Sequence, residues 1–159
     1  LEASEHYILR EAKFFDTENI LELYRLLCQS QKSEIRTGPK TDLWIRGLLE
    51  QALSGFGVCL VAEVSNYLIG ATLAVKAEFP YDTDGKKTAI GYGTFVRRGF
   101  RRYGVANKLY STLKAQLIER GYDLYIGAYL KDNLEVVGAI KRAGLEPFQI
   151  GVRWNLEKE

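Results

Sequence analysis

The chain has 159 residues, of which 47% are apolar and 26% charged, and it carries a formal net charge of +2. That length can bury roughly two-thirds of its unfolded surface, so one domain spanning residues 1–159 folds without disulfide or metal staples. The charge balance is too weak to call for nucleic acid, no apolar run approaches the ~20 residues of a membrane span, and the Cys and His spacing offers no metal site.

The acidic start, Leu1 to His6, holds no hydrophobic stretch, so no signal peptide is expected; without a methionine at position 1 it reads as a processed or re-engineered start. Two cysteines, Cys28 and Cys59, make no disulfide framework, and a reducing cytoplasm is the expected compartment. Residues 7–14 suit a strand. Asp16 or Thr17 then caps a helix with Ile20, Leu23, Tyr24 and Leu27 on one stripe. Residues 28–41 are polar, with Gly38-Pro39 as a breaker and Thr41 as the cap of a second helix. That helix carries Trp44, Ile45, Leu48, Leu49, Ala52 and Leu53 and stops near Gly55 and Gly57.

Val58–Val64 and Leu68–Phe79 read as a hairpin around Ser65-Asn66, followed by a loop through Asp84-Gly85 and a strand over Thr88–Val96. Gly104–Arg120 is an amphipathic helix with Val105, Leu109, Leu113 and Leu117 on one side and Gly121 at its end. Tyr122–Leu130 is a predicted strand. Asp132 or Asn133, with Glu135, opens a short helix that Gly144 ends. Glu146–Ile150 and Val152–Leu156 complete an expected mixed sheet of about seven strands with helices on both faces, an α/β domain.

The densest chemical signal lies between Val96 and Leu109. Four arginines (Arg97, Arg98, Arg101 and Arg102) precede Gly104 and Ala106 where a strand gives way to a helix. Small residues let a ligand approach the main chain, and the first-turn amides lie at the positive end of the helix dipole. A polyphosphate fits such a terminus. A solvated basic turn is the plainer alternative, and RNA stacked on Phe100 and Tyr103 is a third. Neither a dinucleotide-binding glycine fingerprint nor the Lys-Ser/Thr of a P-loop is in register.

The pattern resembles the GNAT superfamily of acetyl-CoA-dependent N-acetyltransferases. Arg101-x-x-Gly104-x-Ala106 matches that family's pyrophosphate motif, with Val96 five residues ahead, and Asn133 followed by Gly144-Leu145 matches its downstream segment. The resemblance implies that the amides of Arg102, Tyr103, Gly104, Val105, Ala106 and Asn107 cradle the pyrophosphate, with Arg101 opening the motif. It also implies that the main chain of Thr94, Phe95 and Val96 pairs with the pantetheine arm, which Asn133 contacts from the next strand. Acetyl-CoA would be the co-substrate and an amine the acceptor, with no metal, membrane or nucleic-acid partner, and with a homodimer left open. Independently, Gly91 and Gly93 are costly in a strand unless a bulge or a close backbone approach requires them.

Catalysis in this family needs a free amine, a polarised carbonyl and, in some members, an acid for the thiolate. The positions that usually supply base and acid hold Thr88, Ala128 and Ile140 here. Tyr92, on the same strand face as Thr88, is the candidate replacement, its other reading being a core or rim aromatic. Tyr125 and Tyr129 read as packing residues, His6 as solvated and Cys59 as core. Glu78, Asp82 and Asp84 form an acidic loop that either attracts a cationic amine or is a solvated turn. The missing acid and base also leave a non-catalytic acyl-CoA sensor as a rival, beside the RNA-binding module.

Overall fold

A computed structural model describes residues 6–30, 39–78, 84–129 and 134–148. Strand β1 (Ile8–Glu11) leads through a 3-10 turn at Phe14–Asp16 into helix α1 (Thr17–Ser30). Helix α2 (Pro39–Gln51) opens into a wide helical turn over Ala52–Phe56, which Gly55 leaves at φ +94°. Then come β2 (Gly57–Val64), β3 (Tyr67–Lys76), β4 (Thr88–Val96), α3 (Val105–Glu119), β5 (Leu124–Ile126) and α4 (Leu134–Arg142).

The strands lie in the order β1-β2-β3-β4-β5, antiparallel as far as β4 and parallel between β4 and β5. Ser65 and Asn66 both have positive φ, 48° and 64°, as a two-residue turn matched to the twist of its strands requires. Alternation along β2 divides the core. Cys59 and Val61 join Leu73, Val75 and Phe95 under α1 and α2. Val58, Leu60 and Ala62 join Ala74, Val96 and the Val105-Leu109-Leu113-Leu117 stripe of α3 on the other face. Both faces of the mixed sheet are therefore covered by helices.

The described sheet has five strands, not about seven. Glu146 to Phe148 form no strand, and Pro147 has no N–H to give a ladder; the remainder of the two expected final strands falls outside the described residues. Strand β5 is three residues long, because Tyr122 is held by α3 and the segment after Ile126 pairs with nothing described. Helix α2 begins at Pro39, not at Thr41: proline fits a first helical turn, where its missing N–H has no helical partner to lose. Asp16 does not cap α1 directly. Its carboxylate accepts the Lys13 amide at 2.8 Å and the two terminal nitrogens of the Arg10 guanidinium at 2.8 and 2.9 Å, tying β1 to the turn that launches α1.

Both later helices end as expected. In α3, Gly121 N–H bonds to Ile118 O and Tyr122 N–H to Leu117 O, with Gly121 at φ +77°. Gly144 repeats the arrangement after α4, through Gly144 N–H to Lys141 O and Leu145 N–H to Ile140 O. The expected cap of α4 at Asp132 or Asn133 lies outside the described residues.

Candidate active site

Among the described residues, strand β4 is paired along one edge and over only three residues of the other. On the β3 side it pairs from Ala89 to Val96; on the β5 side the ladder covers only Thr88, Ala89 and Ile90. Because Arg97 N–H donates to Ile69 O directly opposite, the two-residue alternation of an antiparallel ladder turns the main chain of Phe95 towards Ala71 of β3. It turns Thr94 and Val96 the other way, to the open edge. Of the three residues expected to meet a pantetheine arm, Phe95 is committed to the sheet, while the main chain of Thr94 and the N–H of Val96 face away from β3; Val96 O already accepts from Arg101.

The strand is also bulged. Thr72 faces Thr94 and Ala74 faces Gly91, so Tyr92 and Gly93 together oppose Leu73. Gly93 takes φ +116°, and a Cβ there would come within 2.7 Å of Leu27 in α1. The buried Tyr24 hydroxyl donates to Gly93 O at 2.9 Å and fixes the bulge from the α1 side. Burial pushes the Tyr24 phenol well above its ordinary range, so it remains a donor. Gly91 has a different reason for being glycine. A Cβ at Gly91 would run into the Tyr125 phenol, so the close approach there comes from a side chain of the protein itself.

The chain leaves β4 through the Arg98–Phe100 turn and enters α3 at Gly104, whose φ of +72° is left-handed. Lys108 N–H is the first to bond back, to Gly104 O at 3.0 Å. Among the described residues no main-chain carbonyl accepts the amides of Arg102 to Asn107, which leaves six consecutive donors at the positive end of α3. No side chain caps this end.

The four arginines separate into two kinds. Arg97 donates to Leu68 O at 2.7 Å and pairs with Glu22 at 3.1 Å. Arg101 donates to Val96 O at 2.9 Å, with its guanidinium 5.6 Å from the centre of the Phe95 ring. These two brace the turn. Arg98 and Arg102 are exposed and lie outside every ion pair described here. With half of the basic cluster bound to main-chain carbonyls, the RNA-binding reading loses the feature that prompted it.

Tyr92 projects to the α1–α2 face, half-buried, where its ring meets Trp44 edge-on at 5.3 Å between centroids. Trp44 is carried by α2 as expected, beside the buried Ile45-Leu48-Leu49-Ala52 stripe, and is 53% exposed. Tyr125 packs against the α3 core as expected, its phenol pushed up by burial, but Tyr129 is exposed. Thr88 is buried and donates its hydroxyl to Lys86 O at 2.9 Å, while Ala128 is exposed and Ile140 half-buried on α4. Cys59 is core, and burial raises its thiol to about 12. His6 is exposed. Asn133 and Asp82 lie outside the described residues. Sequence periodicity placed Tyr24 on a core stripe and gave no sign that its hydroxyl pins the bulge. Only the Gly91-x-Gly93 pair hinted that β4 was irregular.

Residues 20–145 match the family model for the acetyltransferase (GNAT) family, and the chain belongs to that family. No curated protein matches it in sequence. Solved structures share the fold at low identity. A predicted acetyltransferase from Clostridium acetobutylicum, solved with acetyl-CoA, is 16% identical with a TM-score of 0.78, over 95% of this chain and 97% of that one. AAC(6')-Iy in complex with a bisubstrate analogue of CoA and acetylneamine is 17% identical with a TM-score of 0.74, over 96% and 99%. Glucosamine-6-phosphate N-acetyltransferase from Arabidopsis thaliana is 17% identical with a TM-score of 0.70, over 96% and 99%. No helix among the described residues is long and apolar enough to cross a membrane.

Proposed function

We propose that this protein transfers an acetyl group from acetyl-CoA to a primary amine of a small molecule or protein, in the cytoplasm. One observation carries the reading: among the described residues, the edge of β4 at Thr94 and Val96 has no strand partner, and the chain continues through the Arg98–Phe100 turn to six amides, Arg102–Asn107, that no main-chain carbonyl accepts. An extended amide-bearing arm suits the first, and a pyrophosphate suits the second. Together they describe coenzyme A. Asn133 is the proposed further contact to the arm, on the family resemblance.

The acceptor must lose one proton to water to become a free amine. Its nitrogen lone pair then forms a C–N bond to the thioester carbon as the C–S bond breaks. The second nitrogen proton leaves, and the thiolate gains one, so an amide, a thiol and one proton result. Positioning alone supplies a large share of such an acceleration. We assign the proton delivered to sulfur to Tyr92, the hydroxyl-bearing side chain adjacent to the bulge on the α1–α2 face. Ala128 and Ile140 have no proton to move, and the Thr88 hydroxyl is turned to the Lys86 carbonyl.

Calorimetry with acetyl-CoA, followed by detection of free thiol across a panel of amines, tests this reading. Binding and amine-dependent thiol release are expected. Tight binding with no thiol release across the panel would favour the sensor reading instead.

A further inference from the structure

Trp44 stands in the second turn of α2 with half its surface in water, beside Leu43 at 72% exposure. Its ring stands nearly perpendicular to Tyr92, at 81°, and Tyr92 immediately precedes the Gly93 bulge that Tyr24 and Leu27 back from α1. The two rings form an aromatic corner at the point where the open edge of β4 begins. Three of the four carboxylates on α1 and α2 are ion-paired. Glu18 pairs with Arg46 at 2.6 Å, Glu22 with Arg97 at 3.1 Å and Asp42 with Arg25 at 2.6 Å. Glu50 stands six residues beyond Trp44. Glu78 follows Ala77, whose N–H bonds to Thr88 O, so it lies at the far end of β4, roughly 13 Å along the strand from Tyr92.

A polycation is recognised by several free carboxylates, and the described residues around the corner offer aromatic faces in their place. Such faces attract a single cation through the ring quadrupole and bury an apolar body. Resting on the acetyltransferase reading, we infer that the acceptor is a monoamine borne on an aromatic or apolar body, selected by Trp44, and not a polyamino sugar such as neamine.

The test measures thiol release with tryptamine, phenethylamine and neamine at saturating acetyl-CoA. The aryl amines should exceed neamine by about tenfold in kcat/KM. Trp44→Ala should raise KM for both aryl amines about tenfold, with a smaller change in kcat and the same affinity for acetyl-CoA, and Trp44→Phe should restore most of the loss. Because the indole is half exposed, an unchanged melting temperature separates selection from folding. Preference for neamine, no turnover of the aryl amines, or a Trp44→Ala variant with wild-type KM overturns this inference while acetyl-CoA binding stands. Failure of the wild type to bind acetyl-CoA overturns the acetyltransferase reading, and this inference with it.

Discussion

The two halves of the sheet are built to opposite standards of completion. From β1 to β4 every strand is paired with the next; seven of the eight residues of β2 are buried, and Arg10 joins Asp16 to Glu63 across the outer strand. From β4 to β5 the ladder lasts three residues, and among the described residues one edge of Thr94 and Val96 and six amides of the next turn have no main-chain partners. Every helix leaves its first amides without intrahelical partners, and here they follow a strand edge that is also unpaired, so on the proposed reading one extended, phosphate-bearing ligand engages both. On that reading, the closed half supplies stability and the open half supplies binding. Substitutions should therefore separate the two properties.

The largest separation is expected at Gly104. We predict that Gly104→Glu weakens coenzyme A binding by several kcal/mol, on the order of 10³-fold, because it sets a negative charge among the amides that would receive phosphate. The left-handed backbone adds strain of about 1–2 kcal/mol for any side chain, so Gly104→Ala is the control. Nothing lies within 4 Å of a Cβ there, and the alanine variant should fold and bind far better than the glutamate one. Equal calorimetric affinities for the two variants would mean that the phosphate is held elsewhere.

Next in size is the chemistry. Tyr92→Phe should keep fold and coenzyme A affinity and lower kcat by about 10²–10⁴-fold, the usual contribution of a general acid–base group. Its contact with Trp44 is through the ring, which phenylalanine retains. Full activity in this variant would remove Tyr92 from the proton path and leave water as the carrier.

What the sequence reveals of these halves is unequal for physical reasons. The stripe Val105-Leu109-Leu113-Leu117 is legible because a helix face is a local property, and all four side chains are buried. Gly104 in the Arg101-x-x-Gly104-x-Ala106 turn is legible because a left-handed φ of +72° at a helix start favours glycine. Pairing is not local. Residues 122–130 have the composition of a long strand, yet the parallel ladder ends at Ile90 and Ile126. The Trp44–Tyr92 contact is illegible for a related reason: only the position of β4 under α2 makes a flanking tryptophan meet Tyr92. The four arginines look equivalent in sequence, and their division into braces and free charges depends on carbonyls brought near by folding.

In the closed half, Asp16→Asn should lower stability by about 3 kcal/mol in urea melts and leave coenzyme A affinity unchanged. Burial pushes the Asp16 carboxyl upward, but hydrogen bonds from Arg10 and from the Lys13 amide outweigh it and hold it below the ordinary carboxylate range. With the folded value below the unfolded one, the stabilisation is complete above the unfolded value near pH ~4 and is lost as pH falls through the folded one. Wild type and variant should therefore converge in acid. A gap that persists at low pH would assign the effect to packing instead of charge.

The smallest effects test whether amides or side chains dominate in the open half. Arg102 is exposed and outside every ion pair described here, so Arg102→Ala should cost about 1 kcal/mol of coenzyme A affinity at low salt, and less as salt screens it. Arg101 differs because its guanidinium holds Val96 O and lies over Phe95, bracing the end of β4 against the turn. Arg101→Ala should cost about 1–2 kcal/mol with little dependence on salt, since what it loses is the placement of the amides and not a charge facing the ligand. Titrations of both variants at two ionic strengths distinguish the roles. A steep salt dependence for Arg101→Ala with none for Arg102→Ala would reverse the assignment, and complete loss of binding from Arg102→Ala would transfer recognition from the amides to the side chains.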